Sequence, residues 1–319
     1  MTTRTEVKSI QPSTTEPASS KPRYSRTRRR ENVYGYLFML PWLIGFFGLF
    51  VGPGLASLGF SFTKYDVLSP PKFIGFGNYV KMFTDDDLFW PSLGRTFYYA
   101  ALGVPLGVFS SMCLAILLNT KVKGITAFRT LFFMPSLVPL VASAVLWTWL
   151  LNADFGIVNQ GLRAIGLDPP GWFSDRKWAI PSLIMMGLWQ GAGGTRMIIF
   201  LAGLQGVPDE LYDAASIDGA GAWRRVRHIT IPLLTPTIFF NLVLGIIGAL
   251  QTFAAAFVAT QGGPGFATWF FGLHIWKQAF DYWNMGYGAA LAWFFAIIII
   301  AMTLVQQRLS ERWVFYYGG

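Results

Sequence analysis

The sequence predicts an all-α integral membrane protein with about six transmembrane helices. Three observations predict it. Only 13% of the 319 residues are charged, roughly half the share of an ordinary soluble domain. Hydrophobic residues make up 53% and the mean hydropathy is +0.45. The apolar residues also collect in blocks of about 20, the length that crosses a bilayer core as a helix.

The elements follow in order. Residues 1–33 are rich in Ser, Thr and Pro and end in Arg26, Arg28, Arg29 and Arg30. With too few apolar residues for a core, they read as a disordered basic tail. A signal peptide is the competing reading, but the apolar block that follows is too long for an ordinary hydrophobic region and no small-residue cleavage site is evident. The membrane-spanning body runs over 34–310. Its expected spans are 34–62, 95–119, 131–151, 181–204, 233–259 and 286–307. Pro41 and Pro53 interrupt the first, which membrane helices tolerate. Residues 191–194 bring three glycines into the fourth, suited to close helix packing. Residues 311–319 form a C-terminal tail.

Orientation follows from the Lys and Arg count. With the N-terminus inside, the inner segments hold sixteen and the outer segments eight, leaving Arg196 within a span. The twofold excess places both termini in the cytoplasm. The outer segments carry Asp66, Asp85, Asp86, Asp87, Asp154, Asp168 and Asp175, with Trp90, Trp172, Trp178, Trp276 and Trp283. Those tryptophans have two readings: an interfacial belt, or contact with a delivering partner.

Several functions are excluded. The net charge of +9 comes from segments flanking apolar blocks, not from a soluble basic face, so nucleic acid is not the partner; membrane lipid is. Cys113 is the single cysteine, His228 and His274 are the only histidines, and no cluster has metal-ligand spacing, so neither metal nor histidine-based catalysis is expected. No Gly-x-x-x-x-Gly-Lys-Ser/Thr motif is present, so the chain binds no nucleotide in the manner of a P-loop. No expected span contains Asp or Glu. An ion-coupled secondary transporter, the alternative reading, usually places carboxylates there.

Residues 205–232 are polar and fall on the inner side. Pro208 suits a first helical turn, and Asp209 and Glu210 favour the helix dipole. Leu211, Ala214, Ala215 and Ile217 make an apolar stripe. Asp218, Gly219, Ala220 and Gly221 break the helix, because glycine turns without a Cβ clash. A second amphipathic helix starts near Ala222, with Trp223, Val226 and Ile229 on one side and Arg224, Arg225, Arg227 and His228 on the others. Pro232 marks entry to the fifth span. By itself such a segment is either a connector lying on the bilayer or a docking surface for a cytoplasmic protein.

Its residues resemble the EAA loop of binding-protein-dependent ABC importer permeases. Asp213, Ala214 and Ala215 stand for Glu-Ala-Ala, followed at the family's spacing by Gly219, Ile229 and Pro232. The chain departs from the pattern at Asp213, at Val226 where Phe is common, and at Ile231 for Leu. Residues 156–159, 200–208, 262–264 and 287–290 are similar to the carbohydrate branch, and the resemblance covers about 30–310. It implies a type I permease subunit for a sugar or sugar-like solute, and not an enzyme. Its partners would be a second permease, a cytoplasmic ABC ATPase dimer that binds ATP and Mg, and an extracytoplasmic solute-binding protein. Its place would be the bacterial inner membrane. Its coupling residues would be Glu210, Asp213, Ala214, Ala215, Asp218, Gly219, Ala220, Arg224, Val226, Ile229 and Pro232.

The solute path is read from polar and aromatic groups inside the spans. Trp189, Gln190, Asn241, Gln251 and Phe253 are the candidates, against ordinary interhelical bonding and packing. Arg196 either contacts solute or a gate, or snorkels to a backbone carbonyl or the interface.

Overall fold

The structure is a computed structural model that describes residues 26–120 and 122–315. The chain divides into two compact units, Met1–Ala56 and Ser57–Gly319. In the first, the backbone is helical from Arg26, inside the segment expected as a tail. Arginine is a good helix former, so a basic run need not delay helix onset. The rest of that expected tail lies outside the described residues. A π-turn at Phe46–Val51 follows Pro41 within the helix. Trp42, Phe46 and Phe50 stack along one side of it. Phe38 and Leu49 are exposed, as side chains that meet lipid are.

The expected spans, the first mostly in the first unit and the others in the second unit, appear with different continuity. Among the described residues, Arg30–Ser61, Phe89–Leu118 and Met285–Ser310 are each long and apolar enough to cross a membrane. The third expected span is bent by 93° between Ile125–Leu137 and Leu140–Leu150. The cause is Pro139. It cannot donate to the helical ladder, and it pushes Val138 into an extended conformation, with ψ at 126°. The fourth is divided into Ala179–Gly191 and Thr195–Gln205. A Cβ on Gly193 would stand 2.0 Å from the Phe132 carbonyl oxygen, so the glycine run does allow the backbones to touch.

The expected fifth span, 233–259, needs a larger correction. Ala222–Leu233 and Thr235–Leu250 form one apolar pair bent by 65°. Pro232 therefore lies near the end of the first member rather than at the entry of the second. The second member stops at Leu250, where polar Gln251 and Thr252 end the apolar run. A separate short helix, Ala254–Ala259, packs against Leu140–Leu150. The chain then crosses to Phe271–Trp276 and a π-turn, Lys277–Asp281.

Three buried clusters hold this unit together. Phe89, Leu93, Phe271, Leu291 and Phe295 form one. Val108, Met197, Phe200, Leu204 and Leu234 form another. Ala144, Leu183, Met186, Ala256 and Phe270 form the third. A two-residue hairpin pairs Thr63 with Phe73 and Lys64 with Lys72. Asn78 secures it by donating to the carbonyls of Ser61 and Thr63 at 2.8 and 2.9 Å. Residues 311–315, expected as a tail, pack back. The Phe315 amide donates to Thr235 at 2.8 Å, and Trp313 meets Phe239 edge-on.

Candidate functional site

Residues 205–232 fold as the two helices expected. Asp209–Ile217 is the first, with Pro208 just outside it at the N-cap, not in the first turn. Its end is a Schellman closure. The Ala220 amide donates to the Ala215 carbonyl at 2.8 Å, and the Gly219 amide to Ser216 at 3.1 Å. Gly219 has φ of +72°, a conformation that a β-branched residue strongly resists. The second helix, Ala222–Leu233, contains a π-turn at Val226–Thr230. The two are clasped by the Tyr212 hydroxyl on Thr230 at 2.9 Å, and by Arg225 donating to Ser216 at 3.1 Å.

The sequence-predicted coupling residues fall on this clasp. Glu210, Asp213, Ala214, Asp218, Gly219 and Arg224 are exposed. Ala215, Ala220, Val226, Ile229 and Pro232 are half-buried. The two largest apolar groups of the turn have nothing over them: Ile217 is 87% exposed and Trp223 72%. Beside them lies an open groove of about 820 Å³, with Arg129, Tyr212, Arg225 and Val226 in its walls. Arg129 reaches across to the C-terminal carbonyl of Phe89–Leu118, donating to Leu118 at 2.8 and 3.2 Å. This is the cation at a helix C-terminus that the dipole favours.

The candidate path residues do not converge. Gln190 donates to the Val138 carbonyl at 2.6 Å, an acceptor that the extended backbone at Val138 takes out of the helical ladder. Asn241 is buried and donates to Thr237 at 2.9 Å, leaving its own carbonyl unpartnered. Trp189 packs edge-on against Trp147. Gln251 is exposed. Phe253 stacks with Phe257 and Trp276. Arg196 lines a half-open pocket of about 150 Å³, together with Tyr99, Gly187, Gly248 and Thr252.

Two features escaped the sequence. Arg95, read as flanking its span, is the seventh residue of Phe89–Leu118. Locating the helix start at Phe89 would have exposed it. Asp86, read among the outer carboxylates, is almost wholly withdrawn from solvent. His274 donates from Nε2 to its Oδ2 at 2.7 Å. Tyr287 also donates to Oδ2, and the Leu88 amide to Oδ1 at 3.0 Å. Trp269 Nε1 donates to His274 Nδ1 at 3.1 Å, which leaves the ring proton on Nε2, facing Asp86. Burial raises the Asp86 pKa, but hydrogen bonds from His274 and Tyr287 outweigh it and hold the carboxyl below its usual range. No local pattern joins residues 86, 269, 274 and 287.

Known proteins fit this geometry. Residues 103–314 match the family of binding-protein-dependent transport system inner membrane components. The chain is 41% identical over 296 residues to a probable ABC transporter permease, YesP, of Bacillus subtilis, covering 92% of this chain and 95% of that one. It is 34% identical to the lactose transport system permease LacF of Rhizobium radiobacter, covering 88% and 95%. Among solved structures, a bacterial ABC transporter involved in alginate import superposes with a TM-score of 0.79 over 90% of this chain and 98% of that one. At 24% identity, that match supports the fold alone. The chain is therefore a multi-pass membrane protein and not an enzyme, and it belongs to the binding-protein-dependent transport system inner membrane component family.

Proposed function

We propose that this chain is one permease subunit of an ATP-driven importer for a sugar or sugar-like solute, and that residues 205–232 couple it to a cytoplasmic ATPase. The observation that carries the coupling assignment is the Schellman-closed turn at Gly219, flanked by the uncovered Ile217 and Trp223. A soluble partner with an apolar cleft and an acidic rim would cover those two side chains and pair with Arg224 and Arg227. The sugar class draws on relatives such as the lactose permease LacF.

In this reading the chain binds no cofactor itself, and ATP and Mg belong to the ATPase dimer. A second permease completes the pathway, and an external binding protein delivers the solute. Nucleotide-driven closure of the ATPases moves the two helices of 205–232 as a clasped unit, and the bent helix Thr235–Leu250 continues from them. Both termini face the cytoplasm, following the sixteen to eight distribution of Lys and Arg.

Reconstitution tests this directly. Uptake into proteoliposomes requires ATP and the binding protein and survives collapse of ion gradients. Uptake driven by a sodium or proton gradient without nucleotide overturns the assignment. Orientation is read separately in a Cys113→Ser background. A cysteine at Ser25 is shielded from an impermeant thiol reagent in intact cells, and one at Ser69 reacts; the opposite pattern removes the loop from the cytoplasm.

A further inference from the structure

Arg196 is held among helices with nothing of opposite charge beside it. Its guanidinium makes no hydrogen bond or ion pair among the described residues; the one polar group acting on it is the Tyr99 hydroxyl. It lies so close to Phe89–Leu118 that a Cβ on Gly107 would stand 2.3 Å from its Nη1. The pocket of about 150 Å³ has room for about five waters. That is the volume of a small charged group with its neighbouring hydroxyls. Tyr99, which reaches Thr252, supplies a hydroxyl in the pocket wall. The rest of the wall is apolar side chains, among them Val104, Ile184 and Leu188, interrupted by glycines, of which Gly248 has open space beside it.

The same helix carries a second unpaired cation. Arg95, Tyr99, Gly103 and Gly107 form an i, i+4 row on Phe89–Leu118, a ridge that rises about 18 Å from first to last. At its start, Arg95 Nη1 is buried with no hydrogen-bond partner, and the charge acting on it is the like charge of Arg176. At its end stands Arg196. Between them is no carboxylate: Phe89–Leu118, Ala179–Gly191, Thr195–Gln205 and Thr235–Leu250 contain neither Asp nor Glu. Leaving half-buried arginines uncompensated has a cost, and a solute that brings its own negative charge lowers it.

Resting on the importer reading above, we infer that the Arg196 pocket is a subsite for the carboxylate of an acidic sugar, with Arg95 on the approach to it. A planar guanidinium matches a carboxylate in two parallel hydrogen bonds, which a neutral sugar cannot offer. Tyr99 then serves a ring hydroxyl.

The test uses the assembled permease pair and ATPase in nanodiscs of purely zwitterionic lipid. Saturation-transfer NMR measures binding of D-glucuronate and of D-glucose, probes that differ in one carboxylate. Glucuronate binds at least about tenfold more tightly than glucose, and Arg196→Gln removes that preference while Arg196→Lys keeps part of it. The Arg196→Gln permease copurifies with its partner permease and the ATPase in wild-type yield and as one monodisperse species, which shows that the variant folds and assembles. Equal binding of the two sugars, or a preference that survives Arg196→Gln, overturns the inference and leaves the importer reading standing. A preference abolished by phosphatidylglycerol in the nanodisc assigns the pocket to a lipid headgroup and overturns it as well. In proteoliposomes, failure of the wild-type complex to take up any sugar with ATP and the binding protein would instead strike the importer reading.

Discussion

The clasp at 205–232 and the buried network around Asp86 are built in opposite ways. In the clasp every hydrogen bond that shapes the turn joins residues within 18 positions of one another. Its apolar groups, Ile217 and Trp223, face outward. Around Asp86, the bonds to His274 and Tyr287 cross 188 and 201 positions, and the Phe271 amide reaches Thr96 across 175. There the polar groups face inward. The difference separates a local motif, whose shape is preset and whose apolar surface is left uncovered, from a junction that exists only once distant elements have packed. Substitutions in the clasp should therefore cost transport and spare the fold, and substitutions in the junction should do the reverse.

The largest effect expected is at Gly219. Gly219→Val forces a β-branched residue to positive φ, and relief of that strain re-aims Asp209–Ile217. Uptake is abolished and the ATPase no longer copurifies, while the protein still inserts in the membrane. Ala215→Trp acts similarly by bulk. Gly219→Asn, which tolerates the left-handed region, keeps most of the uptake. If Gly219→Val and Ala215→Trp both couple normally, the clasp is not the docking element and the comparison fails at its first term.

Thr96→Val tests the second term. It strands the buried Phe271 amide, a loss of about 1–3 kcal/mol of stability. The unfolding midpoint in detergent falls by roughly 2–10 °C, and solute-stimulated hydrolysis per folded complex is unchanged. A stable variant with impaired hydrolysis would show that the junction also transmits.

A pH series sharpens the same point. Because the Asp86 pKa is lowered in the folded state, its contribution to stability is present above the unfolded value and is lost as pH falls through the folded one. The melting temperature holds from neutrality to about pH 4 and declines below it, beyond the decline shared by the other carboxylates. Asp86→Asn lowers the plateau and removes this extra acid dependence. An unchanged acid limb in Asp86→Asn would show that the carboxylate is not the titrating group.

The smallest effect expected is at Gln190. Gln190→Leu leaves the Val138 carbonyl without its donor, about 0.5–1.5 kcal/mol, and uptake changes by less than about threefold. A change in sugar preference would instead make Gln190 a contact of the solute.

Legibility followed the range of the interactions. The apolar blocks and the clasp could be read because each depends on residues close in sequence: a run of about 20 apolar positions, or a helix closed by glycine at C′. Pro139 could have been read as the break of the third span, since proline acts on its immediate neighbours. The stop at Leu250 was harder, because Gln251 and Thr252 are polar residues that a membrane helix accommodates when a neighbour pairs with them.

What the sequence determined by itself, then, was the membrane class, expected spans free of Asp and Glu, and a local turn closed by a glycine. What only the tertiary structure decided was which polar groups meet. Gln190 and Arg196 are six residues apart at one helix break, yet one is spent on Val138 and the other faces a cavity. Asp86 is one of three consecutive aspartates, and it alone is drawn in by His274 and Tyr287 among the hydrogen bonds described. Period and propensity act along the chain, while pairing of buried polar groups is set by elements that come together from far apart in it. In hydrocarbon, where an unpaired group is expensive, that pairing fixes the role of each one.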